Sequence, residues 1–253
     1  MIRILMHGCN GRMGQMIAGL LKEDAEAQIV AGVDKFTGIS NPFPVFTSMD
    51  ACDVDVDVVI DFSNAGAVEE LLDWCVKTKT PVVLCTTGLS TEQLAKVEEA
   101  AKQVAVLKSA NMSLGINLLV ELARKATQIL GGQFDIEIVE KHHNLKKDAP
   151  SGTAIMIGEA INEELDNSKH FVYDRHSVRK ERGKDEIGMH AIRGGTIVGD
   201  HDIIFAGHDE VITLSHSAQS KEVFAVGSVN AAVFLAGKPA GLYAMSDLIK
   251  DGE

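Results

Sequence analysis

Apolar residues recur along this chain with two alternating periods. Residues 2–6, 29–34, 56–61 and 81–85 are short, nearly unbroken apolar runs, the pattern of strands buried on both faces. Between them the spacing changes to that of amphipathic helices. Met13, Ile17, Leu20 and Leu21 follow the first run, and Val68, Leu71, Leu72 and Cys75 share one face of a segment spanning 67–77. A third helix is expected over 91–102, where Thr91 and Gln93 suit a helix start. Strand alternating with helix implies a mainly parallel sheet joined by right-handed crossovers.

The pattern changes after about Asn111. Residues 114–130 read as one long helix closed by Gly131-Gly132, and 134–140 alternate apolar with acidic residues, as in a strand with one wet face. A short amphipathic helix over 153–165 carries Ala154, Ile157, Ile161 and Leu165 on one side. Residues 173–193 are polar, basic and weakly patterned, and are expected to form a long loop. Strands over 196–205 and 211–216 are joined through Gly207-His208-Asp209, and helices follow over 223–235 and 242–249. Two domains result. An α/β unit comprises 1–112 and, because the last helices are too few to stand alone, 222–253; residues 113–221 form an α+β unit on an open mixed sheet.

Bulk composition narrows the function. The 253 residues are 45% hydrophobic and 24% charged, ordinary for a globular protein, and the net charge of −12 argues against broad nucleic-acid binding. No apolar run reaches the length of a membrane span, and residues 1–6 are too short for a signal sequence. Cys9, Cys52, Cys75 and Cys85 lack CxxC spacing, so four free thiols in the cytoplasm are expected.

Gly8-Cys9-Asn10-Gly11-Arg12-Met13-Gly14 follows the first strand directly. Such a turn lets backbone approach a pyrophosphate at a helix start, although any strand-to-helix junction can need glycine. Asp34, closing the second strand, is placed to accept hydrogen bonds from an adenosine ribose, which favours a Rossmann-type dinucleotide site. Its neighbour Lys35 could pair with a 2′-phosphate, and Arg12 could reach either phosphate, so both NADH and NADPH are expected to be accepted. Cys85-Thr86-Thr87-Gly88 lies at a strand's carboxyl end, where it could line ribose or nicotinamide; Cys85 is either a packing residue or a nucleophile. Asp61 and Ser63 end their strand on the same edge and are expected to face the cleft.

The segment from Glu140 to Thr153, EKHHNLKKDAPSGT, gathers the remaining chemistry. In a continuing strand, His142 and His143 point to opposite faces, so they do not make a mononuclear metal site, and no metal is expected. Lys146 follows His142 by four positions, and Ser151-Gly152-Thr153 opens a helix whose free N–H groups can hold a carboxylate. A lysine near that carboxylate supplies both attraction and a proton.

These motifs resemble the 4-hydroxy-tetrahydrodipicolinate reductase (dihydrodipicolinate reductase) family over nearly the full length. The likeness rests on the turn at 8–14, Thr86-Thr87-Gly88, Ala110-Asn111, the segment 142–153 and Arg193-Gly194-Gly195. It implies that Gly8, Cys9, Asn10, Gly11, Arg12 and Met13 bind pyrophosphate, with Asp34 and Lys35 at the adenosine ribose or its phosphate. Cys85, Thr86, Thr87, Ser109, Ala110, Asn111 and Met112 would line the nicotinamide end. His142 would donate or accept a proton, Lys146 would donate one, and His143, Gly152 and Thr153 would bind substrate. It further implies reduction of a cyclic dicarboxylate in the diaminopimelate route to lysine, and a homotetramer built through the open sheet. Three positions depart from the family: Cys85 replaces a usual glycine, Asn144-Leu145 replaces more basic residues, and Lys221 stands where an arginine is common. Two rival readings remain open here, a semialdehyde dehydrogenase with Cys85 as nucleophile and a dinucleotide-sensing regulator without turnover.

Overall fold

The computed structural model describes residues 1–250. It contains two compact units, Met1–Leu114 with the chain from Glu222 onward, and Gly115–Lys221. The chain opens with β1 (Ile2–His7), α1 (Arg12–Leu20), β2 (Ala27–Val33), β3 (Val45–Phe46), β4 (Val58–Asp61), α2 (Val68–Thr78), β5 (Val82–Leu84), α3 (Thr91–Ala101) and β6 (Ala105–Lys108). It continues through α4 (Leu114–Leu130), β7 (Asp135–His142), α5 (Gly152–Glu163), β8 (His170–Val172), β9 (Glu186–Arg193), β10 (Gly199–Ala206) and β11 (Val211–Ala218). It closes with α6 (Glu222–Leu235), β12 (Gly241–Tyr243) and α7 (Met245–Lys250).

In the first unit seven parallel strands run in the order β12-β6-β5-β4-β1-β2-β3. The unbroken apolar runs are explained by burial on both sides. Ile4 and Met6 pack with Ile17 of α1 and Ala231 and Leu235 of α6, while Leu5 faces Leu71 of α2 and Val97 of α3. The start of α3 is a capping box, Ser90 with Gln93, so the cap lies one residue earlier than the expected Thr91.

The second unit is a mixed five-stranded sheet, β11-β10-β7-β9-β8, with α4 and α5 packed on one face through Ile116, Leu119, Ile157 and Ile161. Three expectations need correction. The stretch 173–193 is not all loop, because its last eight residues are β9, parallel to β7. The last helix starts at Met245, and Gly241–Tyr243 adds an edge strand beside β6. Nor do all the acidic residues of β7 lie on its wetter face. Val139 breaks the alternation, so Glu140 and His142 fall on the buried face with Ile136 and Ile138.

Candidate functional site

In the first unit the candidate site is the carboxyl edge of the parallel sheet. Strand order reverses at β1, which has β2 on one side and β4 on the other, the position where open α/β sheets bind ligands. Gly8 adopts φ 80°, and a Cβ there would lie 2.6 Å from the Phe62 carbonyl oxygen. A Cβ at Gly14 would collide with the carbonyl oxygens of Gly8 and Cys9, so the turn closes only on bare backbone. Gly11 caps α1 without any side-chain hydrogen bond, which leaves that helix start receptive to an anion. Asp34 is more than a strand-end acid: it accepts from the Asn10 N–H at 2.9 Å and the Phe36 N–H at 2.9 Å, bracing the turn. The cleft beside it is lined by Gly8, Gly11, Asp34, Lys35, Ser63 and Asn64. Arg12 and Lys35 are exposed.

The loops after β5 and β6 end on the same edge. Cys85 and Thr86 are buried and Thr87 is exposed; Ser109 accepts from the Asn111 N–H at 3.2 Å and donates to the Asn111 carbonyl at 2.8 Å. Met112 is buried, and Gly227 of α6 is so close to its carbonyl that no Cβ would fit. Asp61 does not face the cleft as expected. It is fully buried, accepting from Thr86 Oγ1 at 2.6 Å and Ser63 N–H at 3.2 Å, with His7 Nδ1 at 2.8 Å. One carboxylate thus ties the ends of β1, β4 and β5, and Thr86 spends its hydroxyl internally. His7 had no sequence signal beyond its place before Gly8.

In the second unit the candidate residues gather around Glu140. Its carboxylate is 1% exposed. One oxygen accepts from the Ser151 N–H at 2.9 Å and Arg193 at 2.7 Å; the other meets Arg193 at 2.7 Å and His142 Nδ1 at 2.7 Å. Burial opposes its ionisation, but the bonds from Arg193, His142 and Ser151 prevail and hold the carboxyl below its ordinary range. Because β7 ends at His142, His143 leaves the strand and the loop turns back through the Lys146 N–H to the His143 carbonyl at 3.1 Å. Lys146 Nζ rests 2.9 Å from Asp148, whose carboxyl it holds below the usual value. Ser151 caps α5 by accepting from the Ala154 N–H at 3.1 Å, and the space around Gly152 is open. The structure therefore brings His142, Lys146, His143, Gly152 and Thr153 into one short loop-to-helix segment. Glu140 and Arg193 stand in the sequence motifs but had no role assigned from the sequence. Their signal was a broken alternation and an arginine preceding Gly194-Gly195.

Residues 2–112 match the family described as dihydrodipicolinate reductase, N-terminus, and residues 115–249 match dihydrodipicolinate reductase, C-terminus. The chain belongs to the dihydrodipicolinate reductase family. It is 56% identical over 252 residues to the 4-hydroxy-tetrahydrodipicolinate reductase of Caldanaerobacter subterraneus, covering 100% of both chains. The enzyme of the same description from Clostridium tetani is 47% identical, with 98% of this chain and 97% of that one covered. Among solved structures, the dipicolinate-bound dihydrodipicolinate reductase of Paenisporosarcina sp. superposes with a TM-score of 0.81 at 26% identity, covering 96% of this chain and 97% of that one. This member of the reductase family is accordingly an oxidoreductase. The rival thioester chemistry finds no support at Cys85, since burial first and the nearby Asp61 second push its thiol well above the ordinary value.

Proposed function

We propose that this chain reduces 4-hydroxy-tetrahydrodipicolinate to tetrahydrodipicolinate, in the diaminopimelate route to lysine, using NADH or NADPH. The observation that carries the reading is a buried, carboxylate-anchored histidine and a lysine flanking an open helix start, on a chain whose other unit carries a glycine turn braced by an acid. The start of α1 and the open Gly8–Gly11 backbone fit a pyrophosphate, and the unused lone pairs of Asp34 fit ribose hydroxyls. Lys35 and Arg12, both exposed, offer charge to a 2′-phosphate without obstructing a free ribose, which supports use of both cofactors. Cys85 to Thr87 and Ser109 to Met112 line the nicotinamide end.

When bound, the nicotinamide supplies hydride to the substrate ring. Lys146 exchanges Asp148 for a substrate carboxylate and protonates the ring anion that hydride addition leaves. His143, Gly152 and Thr153 hold carboxylate at the α5 start. His142 keeps Nδ1 on Glu140 and presents Nε2 for proton transfer, including loss of the 4-hydroxyl as water. Gly199 keeps that nitrogen approachable, because a Cβ there would lie 3.0 Å from it. The Paenisporosarcina reductase binds dipicolinate, a planar dicarboxylate of the same outline, which supports this substrate class.

We also infer a cytoplasmic homotetramer. All four cysteines are free, and among the described residues no helix is long and apolar enough to cross a membrane. The sheet face opposite α4 and α5 leaves Ile192 and Val211 exposed, apolar surface that a second copy would cover. The deciding experiment follows NADH and NADPH absorbance separately, with substrate made in situ from pyruvate and aspartate semialdehyde by the preceding synthase. Synthase-dependent oxidation is expected with both cofactors; none with either, despite confirmed cofactor binding, overturns the reading. Light scattering checks the tetramer.

A further inference from the structure

We propose that His201 is a positioning residue of the substrate site: it closes a ring of contacts, Glu140–His142–His201–Ser151, that fixes the His142 imidazole to the start of α5. The proton carrier and the carboxylate-binding turn are thereby held as one body. This rests on the reading of His142 and α5 given above, and no part of the sequence pattern pointed to His201.

Each side of the ring is a direct contact. Glu140 holds His142 Nδ1 at 2.7 Å with one oxygen and the Ser151 N–H at 2.9 Å with the other. Ser151 Oγ lies 3.1 Å from His201 Nε2, and the His201 and His142 rings meet edge-on, 5.3 Å between centroids at 77°. Two strands and a helix cap contribute the four corners. A hydrogen bond at Nδ1 alone leaves an imidazole free to swivel about that bond. A second ring packed against it removes the swivel, and Ser151 transfers the constraint to α5.

The ring works only if His201 stays uncharged. It is 3% exposed, and its Nδ1 is buried with no hydrogen-bond partner. Protonation would put an N–H on both ring nitrogens, and no acceptor faces the buried Nδ1. The groups facing it are His142 and Glu140 from β7, His216 across on β11, Ser151 from α5 and Asp200 beside it on β10. Burial first, then His142, lowers its pKa to about 4 against the pull of Glu140 and Asp200. His201 is therefore neutral throughout the working range and contributes geometry, not protons.

The test compares His201→Leu with His201→Gln, whose amide can reach Ser151, alongside His142→Ala. The readouts are kcat, KM, NADH affinity by fluorescence, dipicolinate affinity by calorimetry, and thermal melting to confirm folding. His201→Leu is expected to lower kcat/KM and weaken dipicolinate about thirtyfold, as displaced catalytic groups do, with NADH affinity held within about twofold. His201→Gln should recover most of both losses. Wild-type values in the Leu variant, or equal losses in Leu and Gln, overturn the proposal. If His201→Leu does not fold, Ser151→Ala cuts the same ring from the other side, with the same loss expected and unchanged values overturning the proposal. An unimpaired His142→Ala would instead overturn the functional reading on which the ring depends.

Discussion

Replacing Glu140 by glutamine removes one proton's worth of charge and almost no volume, yet the geometry leaves the amide nowhere to go. Each carboxylate oxygen faces an Arg193 nitrogen at 2.7 Å, one sharing it with the Ser151 N–H and the other with His142 Nδ1. Whichever end of the amide carries nitrogen therefore points donor at donor. Removing one partner of a buried ion pair costs about 3–5 kcal/mol, and Arg193 keeps some solvent contact, so about 3 kcal/mol is the working figure. Urea unfolding at pH 7 should be followed by far-ultraviolet circular dichroism, because the single tryptophan, Trp74, reports α2 in the other unit. The sign with pH is also fixed. Glu140 has a depressed folded-state pKa, so its stabilisation is complete above the unfolded carboxyl value of about 4.3 and is lost as pH falls through the folded value. The gap between wild type and Glu140→Gln should shrink in that acid window, while turnover of the variant is low at every pH. A loss under about 1 kcal/mol at pH 7, or a gap that does not narrow in acid, would refute the ion-pair reasoning.

Lys146→Ala should lower turnover by about two to four orders of magnitude, the range for a lost proton donor, with cofactor affinity preserved; near-normal turnover removes Lys146 from the chemistry. Lys35→Ala should weaken NADPH binding by about two- to fivefold, as befits an exposed ion pair, and leave NADH unchanged in fluorescence titrations. An unaltered NADPH affinity would strip Lys35 of its 2′-phosphate role. Cys85→Ser should keep turnover, and the folded wild type should resist alkylation at this buried thiol; complete inactivation by the substitution would revive a covalent mechanism.

The parts of the fold that the sequence displays are those whose burial is complete or strictly periodic. β1, β2, β4 and β5 show as apolar runs because helices cover both faces, and α4 spans Leu114–Leu130 as its spacing predicts. β9 stays hidden because its polar residues are satisfied by partners far away in the chain. His190 meets Glu137 at 2.7 Å and Arg193 meets Glu140, so charges that read as loop are cross-strand pairs. β12 is three residues long, too short for any period to register. The proposed substrate segment stands out in the sequence because its chemistry is contiguous from His142 to Thr153. Its supports do not: Glu140 sits behind a broken alternation, and Arg193, His201 and Asp61 act through contacts that only folding creates.

The return of the chain to its first sheet at α6 bears on how the molecule is made. Ala225, Ala231, Ala232 and Leu235 belong to the same core as Ile4, Met6, Val58 and Ile60, yet the whole of residues 115–221 is synthesised between them. At about 5–20 residues per second, the nascent sheet waits roughly 5–20 seconds with one apolar face bare. The second unit is continuous in sequence, so its sheet needs no segment made later. A released chain ending before residue 222 would therefore carry every strand of the second sheet beside a first sheet with one apolar face uncovered, a ready target for a chaperone.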